Sequence, residues 1–396
     1  MKGESPGYRP RPLEVAAGQL VGEDPTSRPL PRVEPGLSPL SALEDAILPA
    51  LLRPPCLVSF SGGRDSSAIL AVAASVARRE GVEMPVPTTF CFPGIPEADE
   101  TVWQEHVVGH LGLTGWERIT IEEELDFLGE ASTGVLRRHG LLWPSNAYVH
   151  VPLMERARGG SLLTGIDGDG LFGGWGWARL MMLLSGRGGR PVRQDARRLL
   201  RAAAPVPLRR AVAGRKGLVK LPWLRPEGQR ALNRLVAADW PTEPVRWNAR
   251  VRWWARRRYV AALDFNLGLL AKERDVLVVN AFLDRRFLAA LAVSGGSKGF
   301  GNRTSAMRAL FADLLPDDLL QRANKGLLTR VLWGRDSRAF GASWGGRGID
   351  PEVIDEEALR ATWTSDRPDA RSSLLIQAAW LATEDAGGGA AAFRER

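Results

Sequence analysis

Two short glycine-rich segments of this chain carry hydroxyl and carboxylate side chains directly after an apolar run. The first, residues 61–66, reads Ser-Gly-Gly-Arg-Asp-Ser and is named here the first glycine loop. Its two glycines allow a tight turn in which several backbone N–H groups point at one anion. The hydroxyls of Ser61 and Ser66 add neutral donors, and a helix beginning near Ser66 adds the positive end of its dipole. The carboxylate of Asp65 beside that anion indicates a divalent metal between the two.

The second segment, residues 162–174, reads Leu-Leu-Thr-Gly-Ile-Asp-Gly-Asp-Gly-Leu-Phe-Gly-Gly, and its part from residue 165 onward is named the second glycine loop. In this loop, Asp167 and Asp169 could supply a further metal ligand across from Asp65. One or two carboxylates together with substrate phosphates form the usual protein site for Mg²⁺. The two loops therefore predict a site for a phosphorylated ligand with Mg²⁺.

Helices and strands that alternate along the first half of the chain must position these loops. Apolar periodicity predicts strands over residues 57–60, 86–92, 118–121 and 161–164, and helices over residues 39–52, 66–79 and 101–111. After about Gly176 the strand signals vanish, and helical spacing continues to about Leu381. Since such alternation favours a parallel sheet, the predicted fold class is α/β, with a parallel-sheet core followed by a mostly helical C-terminal half.

The predicted boundaries divide the chain into four parts. Residues 1–37 are rich in proline, arginine and glycine without lasting periodicity, so we expect an extended or disordered leader. Residues 38–176 are expected to form the α/β core, and residues 177–385 a helical substrate-side region packed on it. Residues 386–396 have the composition of a flexible tail.

Composition is that of a soluble globular protein, because 44% of the 396 residues are hydrophobic and 25% are charged. No apolar run approaches the ~20 residues that span a bilayer. The N-terminus lacks the apolar core of a signal peptide, and Cys56 and Cys91 form no metal-ligand pattern. These observations predict a cytoplasmic protein without a membrane partner.

The net charge of +8 permits a nucleic-acid partner without requiring one. Residues 246–259 interleave arginines with aromatic side chains, as nucleic-acid-binding grooves do. However, Trp247, Val251 and Trp254 share one helical face, which is typical of a packed amphipathic helix. We therefore favour helix packing for this segment over a nucleic-acid partner.

Both glycine loops resemble motifs of one protein family. The first resembles the SGGxDS loop of the ATP pyrophosphatase superfamily (PP-loop or adenine nucleotide alpha-hydrolase-like proteins), and no Gly-Lys-Ser/Thr of a Walker A loop follows it. The second is similar to the (S/T)GxGxDExxGG element of the asparagine synthetase C-terminal domain. Residues 280–284, Asn-Ala-Phe-Leu-Asp, are similar to its PFLD element, and residues 303–326 are similar to its closing LR…LP…R…KxG segment. The resemblance spans roughly residues 40–335 and implies a Rossmann-like PP-loop core that uses ATP and Mg²⁺.

The same resemblance implies roles for individual residues. Those implied to hold the β,γ-phosphates of ATP are Ser61, Gly62, Gly63, Ser66 and Ser67. By the same resemblance, Ser59 would border the adenosine, and Gly165 would approach the ribose or the α-phosphate. Asp65 and Asp169 would bind Mg²⁺. Lys325 would neutralise charge that develops on the α-phosphate and the acyl-adenylate. The candidates for the substrate pocket are His139, Trp143, Asn146 and Asp284, and Glu97, Asp99 and Glu100 could face the site or cap a solvated helix.

Several positions depart from the family's pattern. Ile166 stands where the family has glutamate or tyrosine, Gly170 where it has glutamate, and Ala281 where it has proline. Isoleucine cannot act as an acid or a base. Either Asp167 has therefore taken over that work as the catalytic carboxylate, or the substrate amine needs no base, or the site is degenerate.

The source of the amine is predicted from the first residues of the chain. Asparagine synthetases that use glutamine carry a glutaminase domain whose nucleophilic cysteine follows the initiator methionine, whereas Lys2 follows Met1 here. We therefore expect free ammonia, an amine of a second substrate or an amine of the same molecule. A separate partner subunit that supplies ammonia or presents a peptide is a further alternative.

Three functions compete on the sequence alone. The leading hypothesis is an AMP-forming carbon–nitrogen ligase, similar to asparagine and β-lactam synthetases, that adenylylates a small-molecule or peptide carboxylate in specialised metabolism. A PP-loop tRNA-modifying enzyme is the second, although the chain lacks the paired cysteines of sulfur transfer. The third is a non-catalytic nucleotide-binding or scaffold protein, which Ile166 and Gly170 favour and the retained Asp65, Asp169 and Lys325 oppose.

Overall fold

A five-stranded parallel sheet forms the centre of this computed structural model, which describes residues 8–186 and 189–392, with side chains through residue 384. The strands are β1 (Cys56–Ser59), β2 (Val86–Cys91), β3 (Glu117–Thr120), β4 (Ser161–Thr164) and β5 (Leu277–Asn280). Their order across the sheet is β3-β2-β1-β4-β5, and each neighbouring pair is parallel. The predicted α/β class with a parallel sheet is confirmed.

Helices surround the sheet and make up most of the second half of the chain. Those up to residue 184 are α1 (Pro12–Ala17), α2 (Pro39–Leu51), α3 (Arg64–Glu80), α4 (Thr101–His110), α5 (Glu130–His139), α6 (Val151–Arg156) and α7 (Ala178–Leu184). The later ones are α8 (Arg193–Ala203), α9 (Val206–Lys216), α10 (Pro226–Asp239), α11 (Trp247–Trp254), α12 (Arg258–Lys272), α13 (Arg285–Gly295), α14 (Arg303–Phe311), α15 (Asp317–Gln321), α16 (Thr329–Leu332), α17 (Arg335–Ser343), α18 (Glu356–Trp363) and α19 (Ser373–Ala392). Among the described residues, no helix is long and apolar enough to cross a membrane.

The sheet order brings the two glycine loops to one place. β1 pairs with β2 on one side and with β4 on the other, with Val58 opposite both Pro87 and Leu163. Since all strands are parallel, β1 and β4 end at the same edge, and the chain leaves them into the first and second glycine loops. In open α/β sheets, ligands bind at such a point, where the strand order reverses.

The sheet extends further along the chain than the sequence predicts. Periodicity predicts a helical region over residues 177–385, yet β5 lies within them and pairs with β4, with Thr164 opposite Asn280. The hydroxyl of Thr164 donates a 2.7 Å hydrogen bond to Oδ1 of Asn280. A run of four residues is too short for periodicity to distinguish a strand from a helix turn, and the surrounding helical pattern hides it.

The prediction of an extended or disordered leader is wrong over Pro12–Ala17, which form α1, whereas the rest of residues 8–37 contains no helix or strand. Glu14 of α1 is buried against the guanidinium of Arg258. The same carboxylate accepts hydrogen bonds from the N–H groups of Arg11 (2.8 Å) and Val21 (3.2 Å). This buried ion pair fixes a segment whose composition carries no periodic signal.

The end of the chain also differs from its prediction. Composition predicts a flexible tail over residues 386–396, whereas α19 continues to Ala392. Residues 393–396, like residues 1–7 of the leader, lie outside the described residues.

The arginine- and tryptophan-rich segment is a packed helix, as its periodicity predicts. Trp247, Val251 and Trp254 of α11 are buried. Arg250 of the same helix is buried as well, and its guanidinium donates to the carbonyl oxygens of Gly170 (2.5 Å) and Leu171 (2.6 Å). One arginine of this segment thus holds the second glycine loop in place.

Candidate active site

The first glycine loop forms a turn closed by its own hydroxyl groups. The N–H of Ser61 donates to Oγ of Ser66 at 3.2 Å, and Oγ of Ser66 donates to the carbonyl oxygen of Gly63 at 3.1 Å. Gly62 has a φ of +75°, and a Cβ there would lie 2.9 Å from Cγ of Gln104. Glycine is therefore needed at this position both for the backbone conformation and for the close approach of α4.

The N-terminus of α3 opens directly from this loop. Its N-cap residue is Gly63, which has no side chain to accept from the first-turn N–H groups. Because this 17-residue helix begins at Arg64, its unsatisfied N–H groups and the positive end of its dipole favour an anion beside the loop. The structure thus places a helix N-terminus at the loop where the sequence predicts one.

The second glycine loop packs on Asp65. A Cβ at Gly165 would lie 2.8 Å from the carbonyl carbon of Asp65, and a Cβ at Gly168 would overlap its carboxyl carbon. A side chain at Gly165 would push the backbones of the two loops apart, and one at Gly168 would displace the carboxylate of Asp65. Glycine here therefore lets the carboxylates of both loops meet.

An arginine to which sequence analysis gave no role in the site joins these carboxylates. Arg303 of α14 donates to Oδ2 of Asp65 at 2.7 Å and forms a second ion pair with Asp169. The ammonium of Lys325 lies 3.5 Å from Oδ2 of Asp169. Burial raises the pKa of the Asp65 carboxyl above its usual range, and Arg303 offsets part of that rise. The other oxygen of Asp65, Oδ1, is buried without a hydrogen-bond partner.

Asp167 lies beside this pair in a different environment. Its φ is +59°, a conformation that favours glycine, and the pattern of the family has glycine at this position. Burial raises the pKa of its carboxyl to about 7, while the charge of Arg250 and a hydrogen bond with Tyr259 act in the opposite direction. Tyr259, at the start of α12, is a second site residue that sequence analysis missed.

The loop that carries Lys325 is fixed by α4 and the segment before it. Glu100 pairs with Arg322 and accepts from the N–H of Gly326. Arg322 is buried and donates to the carbonyl oxygen of Gly62 at 3.0 Å. Of the three acidic residues predicted to face the site or to cap a solvated helix, Glu100 thus faces it and anchors the Lys325 segment.

One cavity of about 390 Å³ lies among these groups. The residues predicted for the site that line it are Ser59, Ser61, Gly63, Asp65, Ser66, Asn146, Gly165, Asp167, Asp169 and Lys325. Those that sequence analysis did not assign to the site but that also line it are Arg64, Val149, His150, Thr164, Ile166, Arg303, Arg322, Ala323, Asn324 and Leu328. An adjoining cavity of about 90 Å³ has mostly apolar walls, including Phe60, Phe90 and Leu328.

Other predicted site residues lie elsewhere. Nε2 of His139 pairs with Glu273 at 2.7 Å, and the carbonyl oxygen of Trp143 accepts from Nδ2 of Asn266. Asp284 caps the N-terminus of α13 by accepting from two backbone N–H groups. None of these three side chains lines the 390 Å³ cavity. Of the four substrate-pocket candidates, the structure brings only Asn146 to it.

Ser67 and Gly62 are close to the cavity without lining it. Ser67 is fully buried behind the first glycine loop, and Gly62 contacts α4. The missed residues have weak sequence signals: Arg303 and Arg322 stand in the closing segment of the family pattern among many arginines, and His150 follows no motif. Their recognition depends on tertiary contacts that bring α14 and the 3₁₀ turn Ala147–His150 to the strand ends.

Comparison with known families decides the assignment. The family model described as asparagine synthase matches residues 41–382, which is most of the chain. The chain belongs to the asparagine synthase family. The matched region corresponds to the synthetase part, and it contains both glycine loops and the Lys325 segment. No curated protein matches the chain. As an asparagine synthase family member, the protein is expected to use ATP in an amidation reaction in general terms.

Proposed function

We propose that this protein is an AMP-forming ligase that activates a carboxylate with ATP and joins it to an amine. The observation that carries the proposal is the meeting of both glycine loops, the N-terminus of α3 and Lys325 around one cavity. Each of these groups serves a different part of an adenylylation reaction. A fold kept only for packing would not need unpaired anion-binding groups at a cavity wall.

The nucleotide is proposed to extend across the two adjoining cavities. Ser59, Ser61, Lys325 and Leu328 line both of them. The apolar 90 Å³ cavity suits an adenine ring, and the N–H groups at the start of α3 suit the β,γ-phosphates. A cavity in which an apolar end leads to an anion-binding end matches the polarity of ATP.

The carboxylates fit a Mg²⁺ ion held together with those phosphates. Oδ1 of Asp65 is buried without a partner, and Asp169 stands beside it. Among the described residues no group of three or more acidic, histidine or cysteine side chains could hold a metal alone, as expected where the phosphates complete the ligand set. Mg²⁺ bound there would neutralise the leaving pyrophosphate.

The reaction proceeds in two transfers. An oxygen of the substrate carboxylate attacks the α-phosphorus, the bond to the β-phosphate oxygen breaks, and pyrophosphate leaves. The amine nitrogen then attacks the acyl carbon, AMP leaves, and the amine loses a proton. Lys325 and Arg303 stabilise negative charge on the phosphates in this site. That Asp167 accepts the amine proton stays a prediction.

The lining of the larger cavity suggests the kind of substrate. It includes the apolar side chains of Val149 and Ile166 and the amide of Asn146. The arginines that line the cavity are Arg64, Arg303 and Arg322, and they lie with the carboxylates and the first glycine loop. We therefore propose an acyl substrate with an apolar body, small molecule or peptide, in specialised metabolism, in place of free aspartate.

Calorimetric binding of α,β-methylene ATP to the full chain, with and without Mg²⁺, tests the proposal. We expect Mg²⁺-dependent binding that Asp65→Asn and Asp169→Asn each weaken at least about tenfold, because each removes one charged ligand. Asp318→Asn, an exposed aspartate that pairs with His106, is the matched control and should bind as the native chain does. Binding that ignores Mg²⁺ and both substitutions would contradict the proposal and favour a non-catalytic protein.

Pyrophosphate exchange into ATP, screened over carboxylate classes, then separates a ligase from a nucleotide-binding scaffold. Exchange that Lys325→Ala abolishes supports acyl-adenylate formation. Tight, salt-dependent binding of tRNA without exchange would instead favour the tRNA-modifying alternative.

A further inference from the structure

The positive charge of the chain is concentrated in residues 189–220. They contain ten arginines and lysines and one acidic residue, Asp195, a net charge of +9, whereas the whole chain carries +8. The remaining residues therefore nearly balance one another. Asp195 itself is buried and paired with Arg179 and Arg198. The basic character of this protein belongs to α8, α9 and the residues that flank them, here called the basic hairpin.

The basic hairpin also exposes an apolar stripe on α8. Ala196, Leu199, Leu200 and Ala203 follow the i, i+3, i+4, i+7 spacing of one helix face. Leu199 is 52% exposed and Leu200 is 73% exposed. Helices of water-soluble domains normally turn such a stripe toward the core, whereas the residue of α8 that is buried is Asp195.

A second stripe of the same kind lies on α9. Leu208, Ala211 and Val212 repeat the i, i+3, i+4 spacing, and Leu208 and Val212 are 54% and 41% exposed. The one buried side chain of α9 is Ala213, which lies outside this stripe. Two consecutive helices thus present apolar stripes outward, which scattered surface leucines would not produce.

The arginines beside these stripes have few partners. Among the described residues, no carboxylate lies within 4 Å of the charged groups of Arg193, Arg197, Arg210 and Arg215. No residue of the basic hairpin lines the cavity of the candidate active site. The surface therefore serves neither an internal ion-pair network nor the nucleotide.

We propose that the basic hairpin is a docking surface for an anionic lipid bilayer. Leucine and valine side chains on a helix face that is flanked by arginine are the combination that lies in a membrane interface, where the apolar groups enter the acyl region and the arginines meet lipid phosphates. The expectation of no membrane partner rests on the lack of a membrane-spanning segment in the sequence. A surface that binds the bilayer peripherally needs no such segment.

Other occupants fit the same observations less well. A second copy of the chain would bring two surfaces of net charge +9 together. Nucleic acid would use the arginines and leave the leucines in contact with phosphates. An acidic protein partner would need a shaped groove to cover side chains as exposed as Leu200. A bilayer accommodates such side chains without one.

Co-sedimentation of the full chain with vesicles tests the proposal. We expect binding to phosphatidylcholine vesicles that contain phosphatidylglycerol, weakened by salt, and little binding to phosphatidylcholine alone. Leu199→Glu with Leu200→Glu should lower the partition coefficient at least about tenfold, because it replaces apolar side chains with repelled charges. The matched control places the same two substitutions at Leu52 and Val293, which are exposed elsewhere, and should bind as the native chain does.

Each other outcome overturns the proposal. Equal loss in both double variants would mean that net charge alone drives binding. Absence of binding to anionic vesicles would contradict the proposal outright. Binding to heparin and to vesicles that the leucine substitutions do not change would indicate a surface that acts through its charge only. Binding to an acidic amphipathic helical peptide without binding to vesicles would assign the surface to a protein partner. Circular dichroism and urea unfolding of both variants check that each keeps the helix content and stability of the native chain.

Discussion

Two departures from the family's pattern lie next to each other at the level of single residues. The pattern has glycine at position 167 and glutamate at position 170, whereas this chain has Asp167 and Gly170. A Cβ at Gly170 would lie 2.6 Å from Oδ1 of Asp167. A side chain at position 170 would therefore force the carboxylate of Asp167 to shift. The two departures are in contact, and the loop keeps a carboxylate at position 167.

A double-mutant cycle tests this coupling. Gly170→Ala should lower the free energy of unfolding by about 1–3 kcal/mol in the native chain, because the new Cβ overlaps Asp167. In the Asp167→Gly background the same change should cost little, which gives a coupling of about 1–2 kcal/mol. Urea denaturation measures all four proteins. Gly134→Ala, where a Cβ meets open space, is the control; equal costs in both backgrounds would contradict the coupling.

His150 predicts a pH dependence of stability. Burial lowers the pKa of its imidazole to about 4 from 6.5, and a hydrogen bond with the backbone of Ala147 offsets only part of that fall. Because the unfolded chain then binds the proton more tightly, stability is complete above pH 6.5 and is lost as pH falls toward 4. Between about pH 7.5 and pH 5 the loss should be about 2 kcal/mol. Urea unfolding of the native chain and of His150→Gln should differ by this amount over that interval; parallel curves would refute the prediction.

At the scale of elements, two segments that are far apart in sequence build the end of the cavity that carries Lys325. The turn before α4 supplies Glu100, and the segment after α15 supplies Arg322, Lys325 and Gly326. Arg322 also lies over the ring of Trp103 at 4.7 Å and bonds the first glycine loop. The side chain of Lys325 is exposed and has little packing of its own. Its position depends on the buried ion pair beside it.

Removing that pair should release the Lys325 segment. Glu100→Gln leaves the buried guanidinium of Arg322 without a counter-charge and should lower the free energy of unfolding by about 3–5 kcal/mol. It should also weaken binding of α,β-methylene ATP. Glu97→Gln is the matched control in the same turn, because Glu97 pairs with the exposed Arg330 and should give no measurable change. Similar stability of the two variants would show that Glu100 anchors nothing.

At the scale of the whole molecule, the N-terminal segment from residue 8 onward belongs to the folded body. Residues 8–37 reach α12 through Glu14 and Arg258, and the indole of Trp223 donates to the carbonyl oxygen of Ala16 at 2.8 Å. The leader therefore packs against the helical half of the chain. A chain shortened to the matched family region would lose these contacts.

Glu14→Gln tests this integration. The substitution removes the charge that faces buried Arg258 and should lower the free energy of unfolding by about 3–5 kcal/mol in urea. Glu34→Gln, in the same N-terminal segment, pairs with the half-exposed Arg286 and serves as the control. A detachable leader would instead leave both variants as stable as the native chain.

Sequence alone determined the features that depend on local chemistry. Short stretches of the chain contain the glycine spacing, the hydroxyl and carboxylate residues after apolar runs, and the helical periodicity. For this reason both glycine loops, the strands up to β4 and the packed face of α11 could be predicted. The family follows from the order of these motifs. Lys325 and Asp169 were found for the same reason, since each stands inside a motif.

Tertiary structure alone decided what depends on distant contacts. Contacts between segments far apart in the chain produce β5, the burial of Glu14 and the bridging position of Arg303. The same kind of contact keeps His139, Trp143 and Asp284 away from the cavity, and no local pattern encodes any of these features. The same holds for charge: composition gives +8, but only folding shows which basic helices keep their apolar stripes outside. Burial is a property of what packs against a residue, and one sequence read along its length does not contain it.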